Sequence, residues 1–498
     1  MNDASRRAIP AAPEPRRTEK TGAAGVGFAL ALTDLVALGL AFGAGFLASD
    51  WIRDAFLAEP FAGTAQDIMV RTLLFAAIAL AVVAVFWRQA HYSQRRTFWD
   101  ELYEVLRIVA LAAFADAALV FMGKWYFSRL WWFATWAIAL VLLPFLRVRA
   151  KRWLLRSGHW VRKTAIFGTG PNAMEALVAL RSEPLMGYAV TAFLAPPVPE
   201  GAVSTKSAID GAIPVLTLSA EPERLLEAHG IDALVVALEA DELTEHRALV
   251  ERLAFHGSDV MLIPPIRGLP LYGMDLAHFF RHEVLLLRVP NNLERAGAQF
   301  VKRVFDIMCS ALGLVLLSPL LLYIALRVRA TGRQVIFAHE RVGRRGETFS
   351  CYKFRTMVPD ADRVLADLVA RDPNARAEWE RDFKLKDDPR ITAIGRFLRA
   401  TSLDELPQLW NVLRGEMSLV GPRPVVNAEL GRYGDALRYY LGSRPGITGL
   451  WQISGRNDLD YPERVALDAW YIKNWSLWYD VVILVKTIGV VLEREGAY

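Results

Sequence analysis

Long apolar runs dominate the first 150 residues, and a shorter strand–helix rhythm replaces them afterwards. Residues 21–49 (TGAAGVGFALALTDLVALGLAFGAGFLAS) hold a single charge, Asp34. At about 1.5 Å per residue such a run crosses a hydrocarbon core about 30 Å thick. A secretory leader has a shorter apolar core and a small-residue cleavage site. Three further apolar segments follow at Ile68–Trp87, Val105–Met122 and Leu130–Leu146, so the first is read as an anchored helix. The third of the four is the weakest, because Arg107 and Asp116 lie inside it. Asp34 and Asp116 fall at membrane depth, where an acid either lines a relay or bonds a neighbouring helix. The second role is expected here.

Between about Val161 and Arg288 the period shortens. Thr164–Gly168, Tyr188–Leu194, Ala233–Leu238 and Val260–Ile263 read as strands with helical stretches between them. That alternation predicts a parallel α/β sheet. Gly168-x-Gly170-x-x-Ala173, at a strand-to-helix junction, has the form of a dinucleotide fingerprint. Its usual complement is an acid after the second strand. Here that stretch reads Ala195-Pro196-Pro197, with no acid before Glu200, and the chain has no Tyr-x-x-x-Lys. A Rossmann-like module serving regulation or subunit contact is therefore favoured over a nucleotide site.

A fifth apolar stretch, Val304–Leu326, is long enough to cross but is not expected to. Lys302 and Arg303 precede it, and Arg327, Arg329 and Arg333 follow, so both flanks carry the charge of a cytoplasmic face. Ser318-Pro319 interrupts it, and an interior proline costs a straight helix about 3 kcal/mol. A re-entrant helix over residues 302–328, dipping into one leaflet, is predicted.

Composition agrees with a membrane protein. The chain has 498 residues, of which 53% are hydrophobic and 22% charged, with 15 Trp and 25 Phe. That length suggests about three domains. Cys309 and Cys351 are too few for a disulfide scaffold or a cysteine-rich metal site. A net charge of +5 gives no support to nucleic-acid binding. The cations instead mark topology: Arg6, Arg7, Arg16, Arg17 and Lys20 in the tail, Arg88, Arg95 and Arg96 in the second loop, and a run from Arg147 to Lys163 after the fourth helix. Four crossings with both ends cytoplasmic satisfy that pattern. The expected layout is a cytoplasmic tail (1–24), a four-helix transmembrane domain (25–150), a Rossmann-like domain (160–290) and a C-terminal domain (298–498).

The last third holds most of the polar chemistry. Ser402-x-x-Glu405 has the spacing of a capping box, which would open a helix at Ser402 with Asp404 in its first turn. Lys353, Arg355, Arg399, Arg423 and Arg456 stand beside glycines, prolines or helix ends. Guanidinium forks suit bidentate phosphate binding. An Asp–Glu pair among them suits phosphoryl transfer, with one carboxylate attacking phosphorus and the other holding Mg²⁺. Asp360-x-Asp362 and Asp458-x-Asp460 offer a rival, metal-binding DxD reading of a glycosyltransferase. A membrane-bound, NAD-dependent nucleotide-sugar dehydratase and a non-enzymatic export scaffold are the other rivals. The aromatics Trp470, Tyr471, Trp475, Trp478 and Tyr479 fit either an interfacial belt or ordinary core.

Residues 300–498 closely resemble the bacterial sugar transferases, the polyprenyl-phosphate hexose-1-phosphate transferases or monotopic phosphoglycosyl transferases. The matching text is KRVFDI, the Ser318-Pro319 break, YKFRTM, DPRIT, TSLDELPQLWNVLRGEMSLVGPRP and RPGITGLWQISGRN. Four N-terminal helices and a Rossmann-like insert resemble the family's large form. The spacer Ala361–Lys386 resembles the undecaprenyl-phosphate galactose phosphotransferase branch. The resemblance implies that Asp404 attacks the β-phosphorus of a UDP-hexose, expels UMP and becomes a phosphosugar-aspartyl intermediate. Undecaprenyl phosphate then takes the sugar phosphate. It implies that Glu405 associates with Mg²⁺, that Arg399, Arg423 and Arg456 bind phosphate or nucleotide groups, and that Ser318-Pro319 breaks a re-entrant helix. The implied setting is the bacterial inner membrane, at the first membrane step of exopolysaccharide, capsule or O-antigen synthesis. Galactose is the first expectation and glucose the second. A homodimer through the middle domain is left open.

Overall fold

A computed structural model describes residues 21–57, 63–123, 128–196, 208–209, 213–218, 222–255, 259–266, 268–278, 285–289, 295–372, 376, 388–455 and 459–493. The chain divides into two compact units, residues 1–266 and 267–498.

The first unit opens with four helices, α1 (Thr21–Ile52), α2 (Ala65–Arg88), α3 (Phe98–Gly123) and α4 (Arg129–Arg156). All four are long and apolar enough to cross a membrane. They expose many large hydrophobic side chains, among them Phe28, Leu73, Phe114 and Val141. Their buried charges are paired. Asp116 on α3 receives both Nη groups of Arg71 on α2, at 2.6 and 2.7 Å, and Trp136 Nε1 at 2.8 Å. Asp34 on α1 receives Arg147 Nε of α4 at 3.1 Å and the Tyr92 hydroxyl at 2.8 Å. Both acids thus bond neighbouring elements. Helix α4 runs ten residues past Leu146, the end its hydropathy suggested, and this changes the meaning of two cations. Arg147 and Lys151 are turned inward, where Lys151 pairs with Glu101 of α3. The local hydropathy cut the helix short because it scored these residues as solvated.

An α/β domain follows: β1 (Arg162–Phe167), α5 (Pro171–Ser182), β2 (Tyr188–Ala195), β3 (Ala208–Ile209), β4 (Ile213–Thr217), α6 (Pro222–Ala228), β5 (Ala233–Val236), α7 (Ala240–Glu245), α8 (Arg247–Phe255) and β6 (Asp259–Leu262). The strand order is β3-β4-β2-β1-β5-β6, parallel except for the β3–β4 pair. The apolar runs at β1 and β5 are buried on both faces, as parallel strands require. The short β3 and β4 were not expected. The domain is fastened to the loop between α2 and α3. Arg95 in that loop donates to the Trp160 and Met186 carbonyls, both at 2.6 Å. The Phe98 N–H at the start of α3 donates to Glu183 at 3.1 Å.

The second unit is built on a broken helix pair, α9 (Ala296–Leu316) and α10 (Ser318–Arg329), bent by 64°. Pro319 has no N–H for the Val315 carbonyl one turn back, and the Ser318 hydroxyl donates to that carbonyl at 2.7 Å. Helix α9 is polar on its inner face, α10 buries Ile324 and Val328, and both expose large apolar side chains. Lys302, Asp306 and Ser310, four residues apart, are buried, whereas Phe300, Met308, Leu312, Val315, Leu316 and Leu322 are exposed. Lys302 donates to Asp480 at 2.7 Å and to the Val420 carbonyl at 3.1 Å, and Asp306 accepts the Leu419 N–H at 3.1 Å. Arg303 donates to the carbonyls of Val412 and Leu413 at 2.6 and 2.7 Å. These two cations, read as flanking topology signals, are interior anchors, satisfying groups that lie more than a hundred residues further along the chain.

Around the pair stand the hairpin β7–β8 (Asp275–His278, Leu285–Arg288), the antiparallel β9–β10 (Ile336–Val342, Thr348–Phe354), α11 (Ala361–Arg371), α12 (Ala393–Ala400) and α13 (Gln408–Arg414). β11 (Ser418–Val420) pairs in parallel with β12 (Gly446–Thr448), the short α14 (Leu437–Gly442) lies between them in sequence, and α15 (Tyr461–Lys473) and α16 (Leu477–Glu493) close the unit. The aromatic tail divides. Tyr471 and Trp475 are core, both donating to Asp480, at 2.6 and 3.2 Å. Trp470 is exposed and lies 5.8 Å from Tyr479, ring to ring.

Candidate active site

Strand β10 carries Lys353 to the edge of a cleft of about 1020 Å³, with Arg355 and Thr356 just beyond its end. Asn411 of α13 ties that strand in place, accepting the Tyr352 N–H at 3.1 Å and donating to the Ser350 carbonyl at 2.8 Å. The chain enters from α12, whose first turn is capped by Thr392. Gly395 in this helix lies against the Thr356 carbonyl, where an added Cβ would stand 2.0 Å away, so only glycine permits the approach. The approach brings Arg399 Nε within 2.9 Å of the Thr356 hydroxyl.

The expected capping box does not form. Ser402 has φ of 55°, in the left-handed region, and caps nothing with its side chain. Leu403–Glu405 is a single 3₁₀ turn, and α13 begins only at Gln408. The left-handed residue reverses the chain between α12 and α13 and turns Asp404 inward. A local motif could not register this, because the reversal is imposed by the two helices packing on either side.

The cleft collects Lys353, Arg355, Arg399, Asp404, Glu405 and Arg423 from motifs that stand far apart along the chain. Lys353 Nζ bonds Glu405 Oε1 at 2.6 Å. Asp404 is 9% exposed, and among the described residues its carboxylate is bonded by no other side chain. Burial pushes its carboxyl up to about 6, Lys353 and Arg399 opposing the rise and Glu405 adding to it. Near neutral pH the group is thus mostly ionised yet more basic than an ordinary aspartate. Burial pushes the Arg399 guanidinium down, with Asp404 and Asp388 opposing.

The basic residues are not equivalent. Arg423 is exposed, stands 5.8 Å over the Trp451 ring, and has no ion-pair partner among the described residues. Arg355 lines the cleft but spends its Nη2 on the Val328 carbonyl, at 3.3 Å, and the Thr331 hydroxyl, at 3.0 Å, where it holds the end of α10. Arg456 and Asp458 lie outside the described residues. Asp362, of the rival DxD pattern, also lines the cleft. Thr356 and Asn411 position the site, a role that only the fold reveals. Ser318 and Pro319 stand at the helix break rather than in the cleft.

Among the described residues no three His, Cys, Asp or Glu side chains converge as a protein-built metal cage. Two adjacent carboxylates nonetheless suit Mg²⁺, which keeps several waters and takes the rest of its shell from substrate phosphates. Part of the cleft wall is apolar, with Leu409, Ile447, Ile453 and Val491 in its lining beside polar groups such as Gln334, Thr448 and Gln452.

A buried, unpaired carboxylate facing cations, on a unit whose broken helix is apolar outside, defines a membrane enzyme acting on phosphorylated substrates. Comparison with known proteins narrows the class. The family model described as Bacterial sugar transferase matches residues 297–494, and one described as CoA-binding domain matches residues 71–264. The undecaprenyl-phosphate galactose phosphotransferase of Salmonella typhimurium is 49% identical over 84% of this chain and 87% of its own length. The UDP-galactose-lipid carrier transferase of Erwinia amylovora is 44% identical over 94% of this chain and 97% of its own. The UDP-glucose:undecaprenyl-phosphate glucose-1-phosphate transferase of Escherichia coli is 32% identical over 74% and 76%. The chain belongs to the bacterial sugar transferase family, and it is a sugar transferase.

Proposed function

We propose that the protein transfers hexose-1-phosphate, galactose-1-phosphate in the first instance, from a UDP-hexose to undecaprenyl phosphate and releases UMP. The Asp404 carboxylate carries this reading, because it is buried, basic for an aspartate, and not committed to a side-chain partner. An Asp404 oxygen attacks the β-phosphorus, and the bond from that phosphorus to the bridging oxygen breaks. The bridging oxygen leaves on UMP, and the sugar phosphate is left on Asp404. A phosphate oxygen of undecaprenyl phosphate then attacks the same phosphorus, frees the carboxylate and forms undecaprenyl-diphosphate-hexose.

Arg399 and Arg423 offer guanidinium donors to the phosphate oxygens, and the Thr356 hydroxyl fixes the approach of Arg399. Lys353 holds Glu405 beside the nucleophile. Glu405 would hold Mg²⁺, which when bound would supply positive charge against the diphosphate. Arg456, in the matching GRN text, is proposed as a further phosphate or nucleotide contact.

The acceptor is a lipid, and two features suit it. The apolar wall of the cleft offers a dry surface to the first isoprene units. The outward apolar face of α9 and α10 suits a re-entrant pair resting in one leaflet of the inner membrane. The α/β domain is bound to the loop between α2 and α3, which carries Arg95 and Arg96 just after Arg88 at the end of α2, and this supports a cytoplasmic position for it. The galactose assignment rests on the names of the two relatives that are 44 and 49% identical over most of this chain. The test is a panel of UDP-sugars offered with undecaprenyl phosphate and Mg²⁺ while UMP is measured. UDP-galactose should give the fastest release, and labelled donor alone should leave a phosphosugar adduct on Asp404. Release of UDP instead of UMP would overturn the reading.

A further inference from the structure

The α/β domain holds a phosphate-type loop that the transfer chemistry does not use. In its sheet β1 and β5 are neighbours; the chain runs outward through β2 and β4 on one side and through β6 on the other. The crevice between the first strands of the two halves is where an open α/β sheet takes a nucleotide. Helix α5 starts there, directly after Gly168-x-Gly170, with Pro171 in its first turn. In a nucleotide-binding domain the N–H groups at this point bond the diphosphate.

Here a carboxylate of the chain itself does so. Glu239, at the end of the β5 segment, accepts the Asn172 N–H through Oε1 at 2.8 Å. The same side chain accepts the Glu242 N–H as the cap of α7, and Glu242 answers by accepting the Glu239 N–H at 3.0 Å. One carboxylate thereby serves the starts of two helices. It also fills the space glycine leaves for a ligand: a Cβ on Gly170 would lie 3.1 Å from Glu239 Oε1. Asn172 Nδ2 closes the crevice further, donating to the Leu238 carbonyl at 3.1 Å and the Ile263 carbonyl at 2.9 Å. At the end of β2, Ala195 and Pro196 stand where an acid would meet a ribose.

We propose that Glu239 is a built-in anion occupying the diphosphate position, so that this domain binds neither CoA nor a dinucleotide. The residues present do not fit the ligand that the CoA-binding description implies; the fold persists and the ligand place is closed from within. The proposal is independent of the chemistry assigned to Asp404.

The test uses the full-length protein in lipid nanodiscs, titrated with CoA, NAD and ADP by calorimetry and by thermal shift. The parent should show no binding tighter than about 1 mM and no rise in melting temperature. Glu239→Ala should melt lower than the parent, and sulfate or pyrophosphate should restore part of the loss in the variant while leaving the parent unmoved. Binding of CoA or NAD by the parent overturns the proposal. So does a Glu239→Ala variant that melts like the parent, or whose loss no anion restores. If that variant does not fold, Glu239→Gln keeps an acceptor for Asn172 without the charge. It should still melt below the parent, and an unchanged melting temperature would overturn the proposal equally.

Discussion

The helix bundle and the cleft both bury carboxylates beside cations, and they use them in opposite ways. In the bundle the three buried acids among the described residues are each matched across a helix interface: Asp34 by Arg147, Asp116 by Arg71 and Glu101 by Lys151. In the cleft Glu405 is matched by Lys353, and among the described residues Asp404 is left without a side-chain partner of its own. A closed pair locks two elements together, and its cost is desolvation repaid by geometry. On the proposed reading, an open carboxylate keeps its lone pairs for a substrate, and the surrounding cations are left for phosphate.

That contrast can be broken most sharply at Asp404. Asp404→Asn should lower UMP release by about a thousandfold or more, the scale expected when a covalent nucleophile is lost, with the fold retained. Retained release would show that the open carboxylate is not the attacking group. In the bundle the loss should be structural. Arg71→Ala leaves Asp116 buried without its bidentate partner and should cost about 3–5 kcal/mol, the penalty for breaking a buried pair. Thermal unfolding in nanodiscs would read it, and the folded fraction should keep the parent's UMP burst per molecule.

Glu405→Gln tests the residue between the two regimes. It should raise the Mg²⁺ concentration needed for half-maximal rate and lower the rate by about ten- to a hundredfold, in the range of metal-shell mutations. An unchanged Mg²⁺ titration would remove Glu405 from the metal. The smallest effect concerns Asp468, a carboxyl that accepts the Tyr433 hydroxyl at 3.0 Å through one oxygen and finds no partner among the described residues for the other. Burial pushes it up to about 7. Because its folded value is raised, the proton it keeps stabilises the native state at low pH, and that contribution is lost as pH rises through about 7. Asp468→Asn, which mimics the neutral form, should therefore gain on the parent in melting temperature as pH is raised from about 5 to about 8. A constant difference across that range would mean that the site does not titrate as described.

Much of the candidate cleft is legible in the sequence, because its text is dense: the motifs that carry Lys353, Arg399, Asp404, Glu405 and Arg423 meet in one cleft. The distinction among them could not be read. Arg355 lines the cleft with the other cations but also bonds the end of α10 through Nη2, and no local pattern links it to Val328 and Thr331, more than twenty residues away. The Ser402-x-x-Glu405 spacing predicts a cap, but Ser402 takes a left-handed backbone and its side chain makes no cap bond.

By itself the sequence determined the features whose free energy accumulates along a continuous run: four helices of membrane length, the alternating strands of the α/β sheet, the break at Ser318-Pro319, and the chemical types at the site. Burial per residue and a missing N–H act locally, so run length and spacing are enough to announce them. Only the tertiary structure decided which charges close and which stay open. Arg147 finds Asp34 across 113 residues, Lys302 finds Asp480 across 178, and Glu239 reaches Asn172 across 67. A pair of charges or donors acts through distance in space, which the spacing along the chain does not record.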